Sequence, residues 1–113
     1  MSISQKTKLS MIPTGNTPVI HVNQGDIGDD RLIFDIGYSS SGSAVVQGTT
    51  PSGVFSHSAT IDGQTVVCDL YEDMTLHEGD VVAQIVLTEG ADRIGSQDFI
   101  LRVQEKTYDS TAI

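Results

Sequence analysis

The sequence predicts an all-β domain: an antiparallel β-sandwich of about seven or eight short strands with an extended N-terminal arm, a barrel being the alternative. Three observations lead there. Apolar and polar residues alternate through most of the chain, as in Leu32, Phe34, Ile36 and Tyr38 set against Ile33, Asp35 and Gly37. Successive strand side chains point to opposite faces, so this spacing builds one apolar and one mixed face. Turn-forming clusters rich in Gly, Pro, Asp and Ser recur about every 8–12 residues. Helical character is confined to Tyr71–Glu78, about one turn long.

In chain order, residues 1–17 are polar and broken by Pro13, Gly15 and Asn16, with Pro18 just beyond, and read as an arm outside the core. Its apolar residues Ile3, Leu9, Met11 and Ile12 are the candidate partner-binding residues, because a pure spacer has no need of them. The ordered domain is expected over 18–105, and 106–113 as a patternless tail or the start of a fibre. Val19–Val22 is short and β-branched, a first strand. The glycine- and aspartate-rich turn from Asn23 to Asp30 then opens into a strand over about 30–38. Ser39–Ser43 is a flexible turn without phosphate-loop spacing, and Ala44–Gln47 a brief strand or edge segment.

Gly48–Gly53 turns the chain into Val54–Ile61, where Phe55, His57, Ala59 and Ile61 share a side. Asp62-Gly63 signals a tight hairpin into Thr65–Leu70, since such a turn needs positive φ. Met74 and Leu76, in the short helical segment, are expected to cap the core. Val81–Thr88 is almost continuously apolar, so a strand covered on both faces or lying against a partner is expected. Glu89–Asp92 is a turn, and Phe99, Leu101 and Val103 mark the last strand. Phe34, Leu70, Ile85 and Phe99 are expected to meet in one core between two sheets.

The 113 residues suit one domain, which at this size buries roughly two-thirds of the surface its unfolded chain exposes. Fifteen acidic residues against six basic ones give a net charge of −9. Without a Lys/Arg cluster to neutralise phosphates, neither nucleic acid nor an anionic membrane is an expected partner; a basic protein patch is. Cys68 is the single cysteine, so no internal disulfide forms, and its place beside Val66 and Leu70 makes it a buried structural thiol. No apolar run has signal-peptide or bilayer-spanning length, so a soluble chain made in a cytoplasm is expected.

Candidate chemistry is sparse. His21, His57 and His77 fall on separate elements, without i,i+4 spacing or a cysteine partner for a metal. Asp26, Asp29 and Asp30 lack the alternating ligands and terminal glutamate of a calcium loop. There is no Gly-x-Ser-x-Gly elbow, and Glu72 and Asp73 are no separated carboxylate pair. With no tryptophan and 5% aromatic residues, a sugar-stacking platform is poorly supplied. The expectation is a protein that is not an enzyme and carries no cofactor or metal.

Four stretches in order carry a resemblance. They are Val22-Asn23-Gln24-Gly25-Asp26 with Arg31–Phe34; Thr50-Pro51-Ser52-Gly53-Val54-Phe55; Asp73-Met74-Thr75 with Glu78–Ile85; and Gln97–Val103. Together, over about residues 19–105, they resemble the N-terminal domain of tailed-phage upper baseplate proteins. The resemblance implies an immunoglobulin-like β-sandwich without catalytic activity that fixes a fibre or receptor-binding assembly to the virion. The module also resembles attachment domains of capsid fibres. The chain departs from the family at Thr50, where a lysine or aspartate is common, and at Gln84, where a glutamate is. It also stops at Ile113, where the family continues into a coiled coil or fibre.

The expected function is therefore that of a structural component of a phage particle, located in the virion. Other phage structural proteins and further copies of the chain are its expected partners, and neither nucleic acid nor membrane is. The alternative is a carbohydrate- or host-surface-binding sandwich with Ser39–Ser43 and Glu89–Asp92 as its rim.

Overall fold

Nine strands and one helical turn form the fold in a computed structural model, which describes residues 5–12, 15–25 and 27–105, the side chains of 28–31 excepted. The strands are β1 (Gln5–Lys8), β2 (Val19–Asn23), β3 (Gly28–Asp35), β4 (Ser43–Thr50), β5 (Gly53–Asp62) and β6 (Thr65–Leu70). After the helical turn α1 (Glu72–Thr75) come β7 (Gly79–Glu89), β8 (Asp92–Gly95) and β9 (Phe99–Gln104). The fold is all-β, as the alternation requires. Hydrogen bonding runs in the order β1-β3-β6-β5-β4-β7-β9-β2, with β8 attached to β7.

One strand makes this a single continuous path. β5 pairs with β4 from Gly53 to Ala59 and with β6 from Thr60 to Asp62, so it turns the corner between two halves. The two ends of the path then approach one another. The Gln5 side-chain amide, on β1, donates to the His21 carbonyl on β2 at 2.9 Å. Beyond β1, Leu9 N–H donates to the Asp35 carbonyl at 2.9 Å. Ser10 N–H donates to Gln97 Oε1, and Gln97 N–H to the Ser10 carbonyl, each at 2.8 Å. The N-terminal segment thus bridges the halves, and the sheet closes almost to a barrel.

The core fills the space between the halves. Leu32, Phe34, Val66, Cys68 and Leu70 face Val46, Ile85, Leu87, Phe99 and Leu101, all buried. Phe34, Leu70, Ile85 and Phe99 belong to one cluster, as the alternation predicts. Gly48 is buried because the Phe55 ring lies over it; a Cβ there would stand 2.6 Å from Phe55 Cζ. Interior packing is close enough that such a gap fits glycine and nothing larger.

Several elements differ from the sequence-based expectation. Residues 5–8, placed in the arm, form β1, parallel to β3, and Leu9 lies in the core at 3% exposure. Polar Gln5–Lys8 carries no alternation signal, yet its backbone supplies the hydrogen bonds that β3 needs on its outer edge. β4 is no brief edge segment: its eight residues lie between β5 and β7, where neighbours on both sides satisfy its backbone. β3 ends at Asp35 and Gly37 turns the chain with φ +62°, so Tyr38 leaves the Leu32–Ile36 face and is exposed. Within the chain β7 is not covered on both faces, since Val82 is exposed; of the two expectations, coverage of both faces by the domain itself does not hold. Asp92, expected to close the turn after β7, instead opens β8, a short strand that folds back on β7. The hairpin turn is Gly63-Gln64, one residue later than Asp62-Gly63, with Gly63 supplying φ +61°.

Candidate interaction surface

The strands place three connections and the end of β9 at one end of the molecule, and short polar contacts tie them together. Gly25 N–H, in the β2–β3 turn, donates to the Thr75 carbonyl at 3.0 Å. Gln24 donates from its side chain to the Leu76 carbonyl at 3.0 Å and from its backbone to the Gln104 carbonyl at 2.8 Å. Ser52 Oγ, in the β4–β5 turn, lies 2.6 Å from His77 Nε2. Residues 24, 25 and 27, the turn over 51–52, the α1 segment over 71–78 and the end of β9 therefore form one surface.

Within it α1 is short because only Met74 and Thr75 find the interior. Met74, fully buried, caps the core as expected; Leu76 does not. It falls one residue past the helix and is 44% exposed. Thr75 takes the buried place instead, its carbonyl used by Gly25. Ile27 at 58% and Tyr71 at 38% exposure complete an apolar set outside the core. Two shallow grooves share Leu76 and Glu72 as a common wall. Gln24, Gly25 and Ile27 line one, and His57, Tyr71 and Asp73 the other.

The second groove has a fixed wall. The His57 and Tyr71 rings stack at 3.9 Å between centroids with an interplanar angle of 10°. His57 Nε2 and Asp73 Oδ1 lie 2.7 Å apart. Stacking and the carboxylate contact hold the imidazole from two directions. Glu72 and Asp73 open α1 and Glu78 closes the segment, so the grooves have an acidic surround. No Lys or Arg lines either groove among the described residues.

The other residues singled out in the sequence are scattered. Leu9 is in the core, Met11 packs half-buried against it, Ile12 is 72% exposed, and Ile3 lies outside the described residues, as does the tail 106–113. Of the arm's described apolar residues, Leu9 and Met11 thus pack with the core and Ile12 lies at the surface. His21, His57 and His77 stand on β2, on β5 and after α1, each with different neighbours. Asp26 and the side chains of Asp29 and Asp30 lie outside the described residues.

The loops expected as a carbohydrate rim do meet, at the opposite end. Tyr38 Oη donates to Glu89 Oε1 at 2.6 Å and Ser40 Oγ to Glu89 Oε2 at 3.0 Å. Both oxygens of that carboxylate are engaged within the chain, which leaves it poorly placed to recognise a sugar hydroxyl. Donating its phenolic proton to that carboxylate also raises the Tyr38 pKa above its ordinary value. On the outer face, Arg102 and Asp80 form a two-pronged pair at 2.9 and 3.2 Å that holds the Asp80 carboxyl below the usual range.

Cys68, 1% exposed, has its thiol pushed up to about 12, first by burial and then by the nearby Asp69 charge. A thiol in that state is no nucleophile at neutral pH. Tyr71 and Leu76 were legible only as apolar residues; what the sequence lacked was the helix end that turns Leu76 outward.

Among the described residues no helix is long and apolar enough to cross a membrane. Neither a protein-family model nor a curated protein matches the chain.

Proposed function

We propose that the chain is a non-enzymatic structural module of a tailed-phage particle, anchoring a baseplate or capsid fibre assembly through an immunoglobulin-like β-sandwich. In this reading it is made in the host cytoplasm, resides in the virion and is present in several copies beside other structural proteins. One observation carries the reading. Stretches that are far apart in sequence and jointly carry the baseplate resemblance meet at one end, through the Gln24, Gly25, Thr75 and Leu76 contacts.

Strand order supports the finer fold. On one side β3, β6 and β5 stand in the sequence-order pattern of the B, E and D strands of an immunoglobulin domain; on the other, β4, β7 and β9 stand as C, F and G. β2 runs parallel to β9 along the last strand's free edge. The sharing of β5 between both halves is a departure, and it is what draws the sandwich towards a barrel.

A rebinding experiment tests the proposal. Particles assembled without this chain are mixed with the purified 113-residue protein and sedimented. The expected result is saturable co-sedimentation at a fixed copy number. Protein that stays in the supernatant at all ratios would remove the anchoring function.

A further inference from the structure

The α1 end offers a surface whose chemistry specifies its occupant. From the Ile27 groove across Leu76 to the Tyr71 groove runs one apolar strip, its side chains lying outside the core. Leu76 is the ridge between the two depressions. Glu72 and Asp73 stand on the strip and Glu78 just beyond it. Exposed apolar residues grouped in this way, with charged neighbours, are the usual anatomy of a protein-docking patch.

Charge selects the partner. A chain of net charge −9 repels other acidic surfaces, a second copy presented end-on included. No Lys or Arg lines the grooves among the described residues to relieve that repulsion, and the His57 imidazole there is already taken up by Asp73. The rigid His57–Tyr71 stack means that the second groove is formed before binding, so little ordering is needed there. We infer that the α1 end docks a protein segment of complementary kind: two neighbouring apolar side chains, seated on either side of Leu76, flanked by Lys or Arg facing Glu72, Asp73 and Glu78. Leu76 and Ile27 supply the buried contact; the acidic surround supplies orientation and speed of encounter.

This names the docking surface of the anchoring module and rests on that reading, yet it is tested apart from particles. The probe is a synthetic Lys/Leu peptide of about ten residues, titrated into the full 113-residue chain and followed by anisotropy and by ¹⁵N chemical shifts. A Glu/Leu peptide of equal length is the comparison. The expected result is saturable binding of the Lys/Leu peptide alone, with shifts concentrated at 24–27 and 71–78. Binding should weaken about tenfold in the Ile27→Ser/Leu76→Ser double variant, whose charge is unchanged. It should weaken about threefold in Glu72→Gln/Glu78→Gln, and again as salt rises from about 50 to about 500 mM.

All four substitutions are at exposed positions, and the amide spectrum of each free variant verifies that it folds. Undiminished binding by Ile27→Ser/Leu76→Ser, equal binding of the acidic peptide, or shifts spread over the outer sheet face would each overturn the inference. So would no binding at all. Successful rebinding to particles alongside any of these results would leave the anchoring function standing and move its docking surface elsewhere.

Discussion

The Phe34 ring on β3 and the Phe99 ring on β9 meet with centroids 4.7 Å apart and planes tilted by 41°. Neither strand hydrogen-bonds the other, and they lie in opposite halves of the sheet. This contact is therefore one of the links across the core that backbone pairing does not supply, and tilted aromatic pairs contribute beyond their buried area.

Phe34→Ala should lower the unfolding free energy by about 3–5 kcal/mol, because the ring is fully buried and the halves cannot collapse over the gap. Urea denaturation measures it. A loss that consumes much of a small domain's stability is the expected outcome; a well-folded variant with an unshifted midpoint would show that the two halves do not depend on this pair.

Gly48→Ala should destabilise by about 1–3 kcal/mol, the usual range for overpacking. The added methyl would sit 2.6 Å from Phe55 Cζ and 2.9 Å from the Ala83 Cβ, and both neighbours are themselves buried. The cost should shrink when Phe55 is replaced by leucine, as contact coupling in a double-mutant cycle requires. Additive effects would mean that Phe55 moves aside without strain.

Leu9→Ala should cost about 2–4 kcal/mol, whereas Ile12→Ala should stay within about 0.5 kcal/mol. The two side chains lie three residues apart but on opposite sides of the solvent boundary, at 3% and 72% exposure. Equal, small effects in thermal melts would return residues 5–10 to the status of an arm.

These N-terminal residues also mark what the sequence could convey. Alternation around Phe34, Phe55, Ile85 and Phe99 was readable because each strand there has one buried face. Gln5–Lys8 has no such face: its pairing with β3 is parallel and joins residues 27 positions apart, as Gln5 with Leu32, which no local pattern encodes. β4 looked peripheral because Gly48, placed under Phe55, interrupts its apolar row. At the candidate surface, Tyr71 and Leu76 were visible as apolar residues, but their outward direction depends on where α1 stops. Hydrogen bonds from Gln24 and Gly25 decide that, and they come from about fifty residues away in the chain.

Cys68 sets an alkaline limit. The thiol is held near 12 in the fold and ionises near 9 once unfolded, so between those values the unfolded chain has released a proton that the folded one keeps. The thiol's contribution is thus unaffected below about 9 and falls as pH rises from about 9 to about 12. In urea titrations over that range, wild type should lose stability more steeply than Cys68→Ala, whatever their difference at neutral pH. Parallel slopes would mean that the thiol is not shielded, as would rapid labelling of the folded protein by a thiol reagent at pH about 8.

Hydrogen exchange of the chain free and bound to particles tests most directly whether this protein works by being held at its α1 end. Amides gain protection where a partner covers or stiffens the backbone. The expected result is added protection over 24–27 and 71–78 in the bound state, with 39–42 and 89–92 exchanging as in the free protein. Protection gained at those opposite loops, with none around Ile27 and Leu76, would contradict it.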